Sequence, residues 1–185
     1  MIGRLIHTRF PGRRKIKSFA KDRDGVTAVE FSMVALPFFI IVFGIIEVGV
    51  AMFVNRMVDN SVISAARLIR TGQAQTAGLS ADQFKTQICD FMPSFMCDAD
   101  RIVVEVDSVG TFADAGSTDS LYDDEGNLKD DDDLAYNIGG AGNIVIVKVI
   151  YKWPMMTSAL NLALDDNGTE RYLTSTLVFR NEPWE

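Results

Sequence analysis

The 185-residue chain contains few of the residues from which enzyme centres are usually built. Its only histidine is His7, so the rest of the chain holds neither a Ser-His-Asp triad nor a two-histidine metal site. It also lacks a glycine-rich phosphate loop and a recognisable nucleophile setting. We therefore predict no catalytic residues, no metal, no cofactor and no small-molecule substrate.

Cysteine is scarce as well, with Cys89 and Cys97 as the only two residues of this type. They do not form a C-x-x-C pattern, which disfavours thiol redox catalysis. If this region of the chain lies in the periplasm, a disulfide between them is favoured and would contribute about 2–3 kcal/mol. The alternative is a pair of free, buried cysteines.

Basic residues are absent from residues 26–54, which contain only two acids, Glu30 and Glu47. A helix needs about 20 apolar residues to cross a hydrocarbon core of about 30 Å. The stretch therefore predicts one membrane span, since buried helices of soluble proteins are rarely this long and this apolar. No second stretch of this kind exists, so we predict a single-pass protein.

The charge is distributed unevenly along the chain. Residues 1–25 contain eight Lys/Arg and two Asp, a net charge of +6, whereas the remainder contains ten basic and twenty-three acidic residues, a net charge of −13. The positive-inside rule then places the N-terminus in the cytoplasm and the residues beyond about 55 outside. Nucleic-acid binding is not expected. An ordinary signal peptide is disfavoured, because its apolar region spans only about 7–15 residues.

Glu30 stands five residues into the apolar run, just after the sequence Asp24-Gly25-Val26. A charged group in hydrocarbon costs several kcal/mol unless it finds a partner, so this acid indicates a function. Gly25 can leave helical geometry without steric cost, which suits a peptide bond that a protease must reach.

Gly25, four mostly apolar residues and Glu30 together resemble the processing site of type IV pilin precursors. The Glu30-Phe31 pair resembles the Flp/Tad branch of that family, and the chain length resembles its TadE-like minor pilins. The resemblance implies that a prepilin peptidase cuts between Gly25 and Val26. It also implies that Glu30 pairs with the new N-terminal amine of a neighbouring subunit, while snorkelling of Glu30 to the cytoplasmic interface is the alternative.

The same resemblance implies a minor pilin, or pseudopilin, that takes part in Tad (Flp) pilus assembly for adhesion or surface attachment. Its expected partners are the prepilin peptidase, other Tad/Flp pilins, the inner-membrane assembly platform and the lipid bilayer. The expected location is the inner membrane, with a periplasmic head that becomes extracellular after assembly. The alternative is a single-pass periplasmic binding module that never enters a fibre.

Other residues of the span have simpler interpretations. Glu47 is expected at the outer membrane interface as a solvated acid. Pro37 removes a backbone hydrogen bond and predicts a kink. Gly44 and Gly49 permit close helix approach, or are small lipid-exposed residues.

The helix is predicted to continue beyond the bilayer and to end at Gly72. Apolar residues at three- and four-residue spacing give this segment a single buried face, with the basic side chains off it; these residues are Val54, Val58, Val62, Ala65, Ala66 and Ile69. We therefore divide the chain into a cleaved leader (1–25), a transmembrane and stalk helix (26–72) and a head (73–185).

The head is predicted to be α+β, with a small antiparallel sheet lying on the long helix. Ser80 and Gln83 form a capping box that opens a short helix extending to about Cys89. Alternating apolar residues predict strands at 102–107, 144–153 and 172–180, the second of them central and ended by Pro154. A further short helix over 155–164 and a turn at 165–168 are predicted between the last two strands.

Residues 113–133 contain nine acids and one lysine. Clustered carboxylates are typical calcium ligands, but an EF-hand loop built around Gly126 would begin at Leu121, which is not a ligand. A solvated, mobile loop between strands is the favoured interpretation.

Overall fold

The computed structural model describes residues 25–155, 166 and 169–184. The basic leader with His7, and nearly all of the helix and turn predicted over 155–168, lie outside these residues. The described residues fall into two compact units, one up to Phe43 and one from Gly44 onwards.

The first unit is the beginning of helix α1, which extends from Val26 to Arg70. The helix continues through Pro37 without interruption. The side chains of the first unit are apolar and mostly exposed. Of the 18 consecutive residues with the highest mean hydropathy, only 6% are buried. By length and composition, this is the one helix of the described chain that is able to cross a membrane. Exposure of so many apolar side chains is stable only if lipid or protein covers them.

In the second unit, α1 buries one face against the head. The buried residues include all six that the spacing predicted, namely Val54, Val58, Val62, Ala65, Ala66 and Ile69. Arg56, Asn60 and Arg67 lie off this face, as predicted. The prediction succeeded because residues three and four apart lie on one side of a helix.

Two short helices follow α1. Gly72, with φ of +80°, is followed by helix α2 (Gln73–Ala77), which the sequence analysis missed. Helix α3 (Ala81–Asp90) then begins with the predicted capping box. The Gln83 N–H donates to Ser80 Oγ at 3.3 Å, and the Ser80 N–H donates to Gln83 Oε1 at 2.9 Å.

The sheet has three antiparallel strands in the order β1-β2-β3. Strand β1 covers Ile102–Val109, β2 covers Ile144–Pro154 and β3 covers Glu170–Arg180. The predicted central position of β2 and its end at Pro154 are confirmed. One face of the sheet forms a continuous core with α1 and α3. The predicted α+β class is therefore confirmed.

The acidic segment, residues 113–133, covers part of the second face of the sheet, over β1 and β2. Leu121 is buried against Val103 and Ile150, with Leu128 packed at the margin of the same small cluster. The prediction of a solvated loop is wrong at these leucines, because they remove the apolar second face of β1 and β2 from water. The acidic side chains around them remain largely exposed.

Candidate processing and assembly site

The junction between Gly25 and Val26 lies where α1 begins. Gly25 is exposed, and its carbonyl accepts the first helical hydrogen bond from the Val29 N–H at 3.2 Å. A Cβ added at Gly25 would meet no heavy atom within 4 Å. Within the described residues, therefore, nothing blocks approach to this peptide bond.

Glu30 and Phe31 lie in the second turn of α1, and both are exposed. Among the described residues Glu30 has no ion-pair partner. A carboxylate on an apolar helix surface gains most from a positive charge supplied by another molecule. Its pairing with an amine of a second subunit stays a prediction, as does the alternative of snorkelling.

The small residues of the span are open to the outside. A Cβ added at Gly44 or Gly49 would meet nothing within 4 Å. Neither glycine is therefore needed for packing against the described residues, and close approach of another helix stays a prediction.

The prediction for Glu47 is wrong. Its residue is only 3% exposed, whereas the sequence indicated a solvated acid at the outer interface. Glu47 lies four and seven residues before Ala51 and Val54, so the three share the face of α1 that the head covers. The buried face of α1 thus begins about two turns earlier than the apolar spacing indicated.

Cys89 and Cys97 are joined by a disulfide, and the described chain contains no free cysteine. The loop that they close is also tied to two other elements. Ser61 Oγ in α1 donates to the Phe91 carbonyl at 3.0 Å, and Tyr151 Oη in β2 donates to the Met96 carbonyl at 2.9 Å. The disulfide loop therefore connects the helix layer to the sheet.

An ion pair inside the sheet escaped the sequence analysis. Glu105 and Lys148 are register partners on β1 and β2, and Lys148 Nζ lies 2.8 Å from Glu105 Oε2. The lysine and glutamate side chains are 13% and 7% exposed. Lys148 also donates to the Asp119 carbonyl, which attaches the acidic segment to the sheet. The available signal was that β1 carries only acidic charges, Glu105 and Asp107, whereas β2 carries only basic ones, Lys148 and Lys152.

The acidic segment uses some of its carboxylates internally. Lys85 of α3 is buried and pairs with Asp131. The Asn127 backbone N–H donates to Asp123, which lowers the pKa of that carboxyl. Among the described residues, no group of three His, Cys, Asp or Glu side chains is placed to hold a metal ion. The geometry therefore gives calcium binding no support.

Tyr136 lies beside β1, where it forms a bridge with Val106 and its ring packs against Phe84 of α3. Burial raises the pKa of its phenol from 10.0 to about 12, and its buried oxygen has no hydrogen-bond partner in the described chain. A buried phenol without a partner favours the neutral form strongly.

The fold and the exposed helix define a single-pass, membrane-anchored α+β protein. A family model described as TadE-like protein matches residues 25–67. No curated protein and no solved structure matches the chain. The matched segment begins at Gly25 and extends into the buried face of α1, so the resemblance to TadE-like proteins is confirmed over the anchor and stalk. It associates the chain with the Tad pilus system, through a family of pilus-associated structural components that is not known for enzymatic activity.

Proposed function

We propose that this chain is a minor pilin or pseudopilin that a prepilin peptidase cleaves between Gly25 and Val26 before it enters a Tad-type pilus used for surface attachment. One observation carries the proposal: the TadE-like match begins at an exposed glycine that directly precedes an exposed apolar helix. A permanent anchor has no need for an accessible glycine at that point.

The orientation follows from the charges. The leader has a net charge of +6, so it stays in the cytoplasm and the head lies in the periplasm. The disulfide between Cys89 and Cys97 supports this orientation, because the periplasm is oxidising and the cytoplasm is not.

Glu30 acts after cleavage. Removal of the leader creates a free amine on Val26, and an amine and a carboxylate in a low-dielectric medium offset each other's desolvation. Both groups lie on exposed positions of α1, where a second subunit is able to reach them. The pair would fix the axial stagger between neighbouring subunits.

N-terminal sequencing of the protein from pilus-forming cells tests the processing step. The expected mature chain begins at Val26, and a strain without the prepilin peptidase retains the leader. Gly25→Leu is expected to stay uncleaved, because a branched side chain replaces the small residue at the cut. The matched control is Gly49→Leu, at another glycine of α1 with open space around it, which should be cleaved normally. An intact leader in cells that build the pilus would leave the tethered binding module as the function.

Glu30→Gln separates processing from assembly. The variant should be cleaved as efficiently as the wild type and should be missing from sheared pili, because the neutral amide cannot offset the charge of the amine. Immunoblots of the membrane and pilus fractions measure both steps. Glu125→Gln, at an exposed acid of the head that has no ion pair among the described residues, is the control and should be incorporated. Normal incorporation of Glu30→Gln would rule out the pairing role.

A further inference from the structure

The two edges of the sheet differ in how many of their backbone groups are already hydrogen-bonded. On the β1 side, the Val106 N–H donates to the Ala135 carbonyl at 2.9 Å, and the Asn137 N–H donates to the Val106 carbonyl at 2.7 Å. A bridge between Val106 and Tyr136 completes this cover. The chain itself therefore blocks the middle of that edge.

The β3 edge is open along most of its length. Two hydrogen bonds at the ends of β3 show which way its backbone groups point: the Thr169 carbonyl accepts from the Met155 N–H, and the Asn181 N–H donates to the Asn143 carbonyl. Because the direction alternates along a strand, the odd-numbered residues of β3 direct their N–H and C=O groups towards β2 and the even-numbered residues direct theirs outwards. The ends of the outer edge are occupied: the Tyr172 N–H donates to Asp166 Oδ2 at 2.7 Å, and the Glu182 N–H donates to the Arg70 carbonyl at 2.8 Å.

Between these ends, four residues direct both their N–H and their C=O group outwards, namely Thr174, Thr176, Val178 and Arg180. None of these groups has a backbone partner among the residues that the structure describes. Residues 172–180 contain no proline, lysine or bulge, and Arg180 at the end of the strand is their only charged residue. An exposed edge of this kind is a template for one more strand.

The space beside this edge has the shape and charge for a particular strand. A groove of about 500 Å³ lies between β3 and α1, and its apolar lining includes Ile63, Leu177 and Phe179. Arg67 and Arg70 stand at its margin. Arg70 pairs with Glu182 at 3.2 Å, whereas Arg67 has no ion pair within the described chain.

We propose that the β3 edge and its groove bind an extended segment of another protein as an added β-strand, with apolar side chains facing Ile63 and Leu177 and a carboxylate facing Arg67. The backbone of that segment supplies the missing hydrogen bonds, and alternate side chains enter the groove. The proposal does not depend on cleavage at Gly25, so the two stand or fall separately.

The test uses the full chain in detergent micelles and a synthetic acetylated octapeptide of alternating threonine and valine, in which one valine is replaced by glutamate. Amide hydrogen exchange reports the contact directly. The amides of Thr174, Thr176 and Val178 should exchange rapidly in the free chain and slow at least about tenfold when the peptide is bound, since each then has an acceptor. The same peptide with lysine in place of glutamate should bind more weakly, because it meets Arg67.

Thr176→Pro removes one outward N–H without touching a β2 hydrogen bond, so the head should still fold. It should weaken binding of the glutamate peptide at least about tenfold. Thr176→Val keeps the N–H and is the matched control, with wild-type binding expected.

Three results would overturn the proposal. The first is failure of the glutamate peptide to bind the wild type. The second is equal binding by Thr176→Pro and Thr176→Val, which would place the peptide elsewhere. The third is protection of the three amides that rises with protein concentration in the absence of peptide, which would identify a second copy of this chain as the occupant.

Discussion

Helix α1 has a first half, residues 26–43, and a second half, residues 44–70. The two halves are built from similar residues but have different surroundings. Ile41 in the first half is 62% exposed, whereas Ile69 in the second half is fully buried. Each half contains one glutamate within its apolar sequence, of which Glu30 is exposed and Glu47 is buried. An apolar sequence therefore fixes that a helix surface must be covered but does not fix what covers it. In the second half the head covers one face of α1, whereas in the first half no described residue covers the apolar side chains.

The largest effect is expected for the buried charge pair of the head. Lys148→Met leaves Glu105 buried without its cation, which should destabilise the head by about 3–5 kcal/mol. Denaturant unfolding of the full chain in micelles, followed by near-ultraviolet circular dichroism, measures this loss. The double variant Glu105→Val, Lys148→Met removes both charges and should recover most of the stability. Equal losses in the single and the double variant would assign the effect to the bond from Lys148 to the Asp119 carbonyl, which both variants lack, and not to an uncompensated Glu105.

Two isoleucines test the halves of α1 directly. Ile69→Ala should destabilise the head by about 2–5 kcal/mol, because it opens a cavity in the core. Ile41→Ala should leave the unfolding midpoint of the head unchanged, because its side chain contributes nothing to that core. Thermal unfolding of both variants in the same detergent gives the comparison. A shared loss of stability would mean that the first half supports the head.

The disulfide should contribute less to the stability of the head than Lys148 or Ile69 does. The cysteines are eight positions apart in sequence, and closing so short a loop restricts the unfolded chain by about 2–3 kcal/mol. The double variant Cys89→Ala, Cys97→Ala should lose about 2–3 kcal/mol of unfolding free energy in denaturant. The substitutions do not alter the assembly residues Glu30 and Phe31. Reducing agent should lower the midpoint of the wild type and leave the double variant unchanged. Sensitivity of the double variant to reductant would contradict this account.

The smallest effect is a pH dependence. The folded pKa of Tyr136 is about 12, against 10.0 for the exposed phenol. The unfolded chain therefore releases the proton first, and stability should fall as the pH rises from about 10 to about 12. Tyr136→Phe should reduce this loss and should be neutral or slightly stabilising at pH 7, since it removes a buried hydroxyl without a partner. Melting temperatures at pH 7, 10 and 11 provide the check, with Tyr122→Phe as a matched variant at a more exposed tyrosine. An unchanged alkaline loss in Tyr136→Phe would assign the effect to other groups.

Much of this architecture was accessible from the sequence because it depends on local periodicity. Six of the nine buried residues of α1 were predicted from helical spacing, and the three strands follow alternation. The capping box at Ser80 depends on residues three apart. The candidate site was equally local, since Gly25 and Glu30 lie within six positions of each other.

The remaining features depend on contacts between distant residues, which single-sequence patterns do not report. The pairing of Glu105 with Lys148 requires a strand register that joins positions 43 apart. The leucines of the acidic segment looked like interruptions in a solvated loop until the sheet supplied a second apolar face.

The amino-acid sequence by itself determined the membrane helix, the face of the stalk that is buried, the strands and the candidate cleavage point, because each arises from neighbours along the chain. The tertiary structure decided that Glu47 is buried and that the acidic segment covers β1 and β2 on one face of the sheet. It also decided that, among the described residues, the β1 edge is protected while the β3 edge is open. These outcomes depend on which distant segments lie side by side, and burial and edge pairing are set only when those segments meet.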